Sequence, residues 1–532
     1  MCMGRISYRE RRTYDWIQAR GLDRGRDEHS EGGSPFIKLP NKVGKRTPTF
    51  VHISVIEEEL FVHFYVARVW IFLNIYVNLP LNRLRSCSVR NVSMKRKIYN
   101  KLLKWKESYK RKPLILKGAR QVGKSWILKE FGKREYRYLA YISCDNEEYA
   151  KAIFSDFDTK RIIRAIEAIS KVPVVPGETL IVLDEIQEIP KGLTSLKYFC
   201  EDAPSYHVAV AGSLLGITLN QGTSFPVGKV DFLEMYPMDF EEFLWANAET
   251  GLASQIENVM IQDFTALHSH LEKILRSYYF CGGMPEAVAA YTEGAGILEV
   301  RDIQLSILEA YRNDIGKHAP LNEVQRIHLV MQSLPSQLAK ENKKFVYSAV
   351  RKGARAAEFE VAIQWLVDAG ILIKVARLLK PAVPASFYED FNAFKLYLLD
   401  CGLFAAMVNA DPAVILVGDN LFSEYKGSFS ENYICQQLIA QSLKLYYYSG
   451  ENSQIEIDFI TEIDNHIIPI EVKAEGNVKG KSLKLFIEKY QLNKGVRFSM
   501  LPYKDQEKLV NFPLYTAFAF KAFSLISCLK RT

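Results

Sequence analysis

The sequence predicts an α/β chain that opens on a parallel-sheet core, continues through a mainly helical middle and ends in a second α/β part. Three observations predict this. A short apolar run at 113–117 leads straight into a glycine-rich loop, and a second run at 179–183 ends in two adjacent carboxylates. Near the C-terminus, two strand-like runs carry acidic and basic residues at strand spacing. With 532 residues, the chain exceeds the ~100–200 residues of one ordinary domain, so several parts are expected. Hydrophobic residues at 48% and charged residues at 24% are the mixture of a globular chain and exclude a disordered or collagen-like one.

The net charge of +8 is unevenly spread: residues 1–93 hold 15 basic and 9 acidic residues, and the remaining 439 are nearly neutral. Any contact with nucleic acid therefore has to be a local patch. Residues 1–93 contain 12 Arg and 3 Lys, a preference reversed afterwards, where 38 Lys stand against 16 Arg. Met94 opens the Lys-rich part, and an amphipathic helical start follows with Leu102, Leu103 and Trp105. Residues 1–93 are thus expected to be an atypical extension, with translation starting at Met94. Leu60 to Leu81 is long enough to span a bilayer but is interrupted by Arg68, His63, Asn74 and Asn78. No membrane association is expected, and the cytoplasm is the expected location. The eight cysteines form no CxxC pair, which argues against a zinc knuckle or a disulfide framework.

Each element of the first part has a chemical reason. The strand-like Pro113–Lys117 runs into Gly118-Ala119-Arg120-Gln121-Val122-Gly123-Lys124-Ser125, which satisfies GxxxxGK[ST]. Its glycines let successive N–H groups point at phosphate oxygens while the following helix adds its positive end. Lys124 is expected to reach the β- and γ-phosphates of ATP, and the Ser125 hydroxyl to hold Mg²⁺. The run Thr179–Leu183 ends in Asp184-Glu185, expected to hold the metal-bound water and to polarise the attacking water respectively. Further strands are expected at 136–143 and 208–213.

A strand inserted between the P-loop strand and the acidic strand marks the class that includes AAA+ and RecA-like ATPases. The block 226–243 (PVGKVDFLEMYPMDFEEF) resembles a signature of a prokaryotic AAA-type ATPase family that carries a C-terminal restriction-endonuclease-like domain. So do Tyr279–Glu286, Tyr311–Ile315 and Lys395–Leu403. The resemblance spans roughly 94–520. It implies a P-loop AAA+ core of the ASCE class at 94–250, a helical lid at 251–320, a winged-helix-like part at 321–390 and a restriction-endonuclease-like domain at 391–532. It also implies a γ-phosphate sensor at Ser213. Lys229 stands where relatives often carry Arg and lacks that residue's planar fork.

Leu267, Leu271, Ile274 and Leu275 have helical spacing in the lid. Helical patterns at 346–350 and 358–369, then a strand at 370–375, suggest a winged helix in which Arg351, Lys352 and Arg355 meet DNA phosphates; a solvated basic face explains the same charges. At the C-terminus, Asp458 on one strand and Glu471-x-Lys473 on the next match the pattern of restriction-endonuclease-like nucleases. There, two carboxylates hold Mg²⁺ and the lysine steadies the attacking hydroxide. Glu431, on a helix over 429–438, is a candidate further ligand, and Lys484 a candidate phosphate contact. The pattern recurs by chance in a chain this charged, so its context carries it.

The chain is therefore expected to be a Mg²⁺-dependent ATPase coupled to a nuclease-like, DNA-acting domain. The alternatives are an ATP-switched DNA-binding or regulatory protein with a silent nuclease fold, and an ATPase acting on a protein partner. Homo-oligomers are common among the relatives implied.

Overall fold

The structure is a computed structural model that describes residues 94–145, 147–213, 227–258, 267–339, 343–417, 423–450, 455–474 and 481–525. The extension 1–93, with Leu60 to Leu81, lies outside the described residues, as do Pro226 and Gln454. The described residues all fall in one compact unit. Among the described residues no helix is long and apolar enough to cross a membrane.

The chain enters through α1 (Ile98–Glu107) and then builds a sheet: β1 (Leu114–Lys117), α2 (Lys124–Glu135), β2 (Tyr138–Ser143), α3 (Glu147–Ile153), α4 (Thr159–Ser170), β3 (Thr179–Asp184), α5 (Pro190–Asp202), β4 (His207–Ala211) and β5 (Asp231–Glu234). The strands are parallel and run in the order β2-β3-β4-β1-β5. Their alternation explains the near-continuous apolar runs. Leu114, Leu116, Leu180, Val182, Ala209 and Ala211 pack into one core cluster, while Ile115, Ile181, Leu183, Val208 and Val210 pack into the other. Both faces are buried, as a parallel sheet requires. The strand inserted between β1 and β3 is β4. The run at 138–143 lies between them in sequence but goes to the far edge.

Helices follow: α6 (Phe240–Ala246), α7 (Thr250–Asn258), α8 (His268–Cys281), α9 (Pro285–Glu293), α10 (Ile297–His318), α11 (Val324–Leu338), α12 (Tyr347–Val350) and α13 (Ala356–Asp368). The second sheet comprises β6 (Leu372–Leu378), β7 (Glu389–Leu398), β8 (Leu445–Ser449), β9 (Glu456–Ile463), β10 (His466–Lys473), β11 (Gly495–Ser499), β12 (Lys504–Asp505) and β13 (Leu509–Pro513). Between and after these strands lie α14 (Cys401–Met407), α15 (Pro412–Val417), α16 (Ser423–Ala440), α17 (Lys481–Lys489) and α18 (Phe520–Leu525).

The second sheet is mixed, in the order β12-β13-β11-β10-β9-β8-β6-β7. The strand expected at 370–375 in a winged helix therefore belongs to no free wing. One edge of β6 is taken by β7 and the other by β8, through Ala376↔Tyr446 and Arg377↔Tyr447. The boundary expected at 390/391 falls inside β7. The physical reason is edge saturation, because the open N–H and C=O row of β6 finds a partner strand in the following part of the chain.

Side-chain contacts join the blocks that carry the family resemblance to one another. Asp239 caps α6 by accepting from Glu242 N–H at 2.9 Å. Arg96 pairs with Glu242 at 3.1 Å, and Lys97 with Asp239 and Glu241 at 2.6 and 2.5 Å. Asp400 caps α14 through Leu403 N–H (2.8 Å) and also accepts from Gly283 N–H (2.6 Å) in the turn between α8 and α9. Burial pushes the Asp400 carboxyl up, against those donors. One side chain thus links the block Tyr279–Glu286 to Lys395–Leu403, two blocks that are far apart in sequence.

Candidate nucleotide site and C-terminal charge cluster

Between β1 and α2 the loop 118–123 takes the shape its glycines permit. Gly118 has φ +147, and a Cβ there would lie 2.2 Å from the Met235 carbonyl oxygen, so no larger residue fits against β5. The first bond of the α2 ladder runs from Ile127 N–H to Gly123 O at 2.9 Å. That leaves the N–H groups of Lys124, Ser125 and Trp126 outside it, at the positive end of the helix. Gln121 also has a positive φ of 65°. Behind the loop, Arg96 donates to Val122 O at 2.9 Å and to Tyr236 O at 2.7 Å. In front, Arg120 pairs with Asp314 on α10, and Tyr311 OH donates to Arg120 O at 2.9 Å.

Lys124 is 6% exposed. Its ammonium donates to Gly118 O at 2.9 Å and Ala119 O at 2.7 Å. Burial lowers its pKa to about 8, against the opposing pull of Glu185 and Asp184, with Arg120 adding to the lowering. Asp184 and Leu116 both align with Ala211, so Asp184 lies two strands from the strand that feeds the loop, about 10 Å at the usual strand spacing. The Asp184 carboxylate is buried and accepts from Tyr141 OH at 2.6 Å.

Glu185 stands just past the strand end with φ 51. Its Oε2 accepts from Gln187 Nε2 at 2.6 Å, Ser213 Oγ at 3.2 Å and Ser213 N–H at 3.3 Å. Burial pushes its carboxyl up, but Gln187, the Lys124 charge and Ser213 outweigh that and hold it low, so it is ionised. The structure thus brings Lys124, Asp184, Glu185 and Ser213 into one group. A hydroxyl (Ser125), a buried carboxylate (Asp184), a buried ammonium and free helix N–H groups make a donor set that fits a nucleotide triphosphate with Mg²⁺. Sequence reasoning did not single out Tyr141, Gln187, Arg96, Tyr311 or Asp314 as site residues. Only Tyr311 and Asp314 left a trace, as part of a resembling block. Lys229 lies at the surface, paired with Glu201 on α5 at 2.9 Å, and that carboxylate raises its pKa.

The C-terminal residues also meet, on β9, β10 and α16. Asp458 Oδ2 accepts from Val472 N–H at 2.8 Å. Glu471 Oε1 pairs with Lys473 at 2.9 Å, and Asp458 and Glu431 also act on the Lys473 charge. Burial and the Glu431 charge push the Asp458 carboxyl up to about 7, against Lys395, Val472 N–H and Lys343. Two buried lysines that sequence reasoning missed complete the cluster. Lys343 pairs with Glu431 Oε1, while Tyr397 OH donates to Glu431 Oε2 at 3.1 Å. Lys395, 1% exposed, pairs with Glu456 at 2.9 Å.

Among the described residues no group of three or more His, Cys, Asp and Glu side chains is placed to hold a metal ion. Of the expected set, Glu431 and Glu471 each already pair with a lysine ammonium, Lys343 and Lys473, and Asp458 accepts from Val472 N–H, so as arranged it does not fit Mg²⁺. Arg351, Lys352, Arg355 and Lys484 are exposed, and Arg351 pairs with Glu358 at 3.0 Å.

Residues 110–244 match a family model described as an AAA domain. Residues 272–413 and 426–515 match two domains of unknown function, DUF8612 and DUF4143. No match is found among curated proteins. Among solved structures, the chain is similar to the Walker-type ATPase Paby2304 of Pyrococcus abyssi, at 14% identity and a TM-score of 0.39, covering 61% of this chain and 99% of that one. It is also similar to the Aeropyrum pernix Orc1 protein in complex with DNA, at 15% identity and a TM-score of 0.24, covering 59% and 90%. A third is the Thermotoga maritima RuvB Holliday junction branch migration motor, at 14% identity and a TM-score of 0.25, covering 52% and 88%.

Proposed function

We propose that this chain, whose residues 110–244 match an AAA domain, binds and hydrolyses ATP with Mg²⁺ and couples that cycle to a nuclease-like C-terminal domain that acts on DNA. The observation that carries the reading is the single cluster of Lys124, Asp184, Glu185 and Ser213 at the mouth of the Gly118–Ser125 loop. Loop N–H groups and the Lys124 ammonium bind the phosphate oxygens of the substrate. Ser125 would hold Mg²⁺ and Asp184 its bound water, and the ion would supply neutralisation of phosphate charge. Glu185, ionised beside Lys124, orients water and accepts its proton. Ser213 holds the Glu185 carboxylate in place.

Purified protein tests this directly. Lys124→Ala is expected to lose nucleotide affinity. Glu185→Gln is expected to keep affinity while turnover falls by about a hundredfold or more, the usual size of a general-base effect. Hydrolysis unchanged in either variant would overturn the assignment.

The lysine-paired carboxylates favour a second reading of the C-terminal part: an ATP-switched DNA-binding or regulatory protein whose nuclease-like fold is silent. Divalent-metal-dependent cleavage of plasmid DNA, lost in Asp458→Ala, supports the first reading. DNA binding with retained ATPase and no cleavage supports the second.

A further inference from the structure

We propose that the Lys343 ammonium is the built-in cation of the C-terminal carboxylate cluster. It stands where a divalent ion would need to bind and keeps the site metal-free while the segment carrying it stays docked. This rests on reading β9 and β10 as nuclease-like.

Lys343 comes from outside those strands, on the segment between α11 and α12, and is only 8% exposed. A buried ammonium is tolerated only when paired, and its partner is Glu431 Oε1. The segment is fastened on both sides. Phe345 N–H donates to Phe394 O on β7 at 2.8 Å. Gln337 bonds Val346 in both directions, at 2.9 and 3.1 Å, and Ser428 Oγ on α16 donates to Leu338 O at 2.6 Å. Described residues on either side of Lys343 are thus anchored, and the pair with Glu431 holds its ammonium.

The surrounding charges leave no net negative charge. Four carboxyl groups, Glu431, Asp458, Glu471 and Glu456, of which Asp458 is pushed up to about 7 and so only partly ionised at neutral pH, face four cations, Lys343, Lys395, Lys473 and Arg497. A divalent ion added to such a group meets no net attraction, whereas loss of Lys343 leaves one carboxylate charge uncompensated. A second observation points to a cation as the missing partner: Glu471 is 5% exposed, and its Oε2 has no hydrogen-bond partner.

The test is titration of the nucleotide-free full chain with Mn²⁺ alone, followed by calorimetry or water-proton relaxation. Wild type and Lys343→Arg are expected to show no Asp458-dependent Mn²⁺ binding. Lys343→Met is expected to bind one further Mn²⁺, and adding Asp458→Asn should abolish the gain. Should Lys343→Met fail to fold by circular dichroism, Lys343→Gln replaces it, and the wild-type titration decides independently. Wild-type Mn²⁺ binding that disappears in Asp458→Asn would overturn the Lys343 inference and leave the nuclease-like reading standing. Folded Lys343→Met or Lys343→Gln that still binds no Mn²⁺ would overturn both.

Discussion

At Lys124 two forces oppose each other. Burial disfavours the ammonium, and Glu185 with Asp184 favours it, leaving a pKa of about 8. Phosphate recognition needs the charged form. The folded, nucleotide-free protein therefore loses that form as pH rises through 8, and affinity for ATP is expected to fall about tenfold between pH 7 and pH 9. Fluorescent-nucleotide titration across that range checks this, and a flat dissociation constant would show that Lys124 stays charged. The loop Gly118–Ser125 and the pair Asp184-Glu185 were legible in the sequence, because phosphate and Mg²⁺ chemistry demand those residue types at local spacing. Tyr141 was not, since it reaches Asp184 only through the pairing of β2 with β3; nor was Gln187, which is two residues from Glu185 but belongs to no motif that demands an amide there.

At the scale of the element, β4 shows what the sequence pattern conceals. His207 begins this strand, where it is 8% exposed and its Nδ1 lies 2.7 Å from Tyr136 OH. Burial, then the charges of Arg111 and Lys106, lower its pKa from 6.5 to about 4. The folded-state value is depressed, so the unfolded chain binds the extra proton first. The associated stability is complete above about pH 6.5 and is lost as pH falls toward 4. Between pH 7 and pH 5 this amounts to about 2 kcal/mol. Denaturant unfolding at the two values checks it, because His207→Gln should flatten that part of the slope, and an unchanged slope would assign it to other groups. The apolar runs at β1, β3 and β4 were read correctly as strands from their composition. Their lateral order was not, because adjacency in a parallel sheet is set by crossover helices and not by sequence order.

At the scale of the molecule, the N-terminal edge of the described structure is structural. Arg96 and Lys97 tie the chain to Val122 and to the acidic start of α6. A chain beginning at Met94 is expected to fold and to hydrolyse ATP like the full sequence. A chain beginning at Lys110 loses the Arg96 support behind the loop and should show reduced thermal stability and weaker nucleotide binding. Comparing the melting curves and ATPase rates of the three proteins checks this. Loss of folding in the chain beginning at Met94 would show that residues 1–93 contribute to the fold. The division expected at 390/391 failed to foresee one continuous sheet because the pairing of β6 with β8 joins segments about 70 residues apart.

By itself, the sequence determined the local chemistry: a P-loop motif, an acidic strand end, and two strands carrying Asp458, Glu471 and Lys473. Each is a short-range pattern in which spacing dictates geometry. Only the tertiary structure decided that Asp314 meets Arg120, that Asp400 reaches Gly283, and that Lys343 and Lys395 neutralise the C-terminal carboxylates. Those contacts bring charges from distant segments into one buried region, where low dielectric makes the identity of each partner decisive.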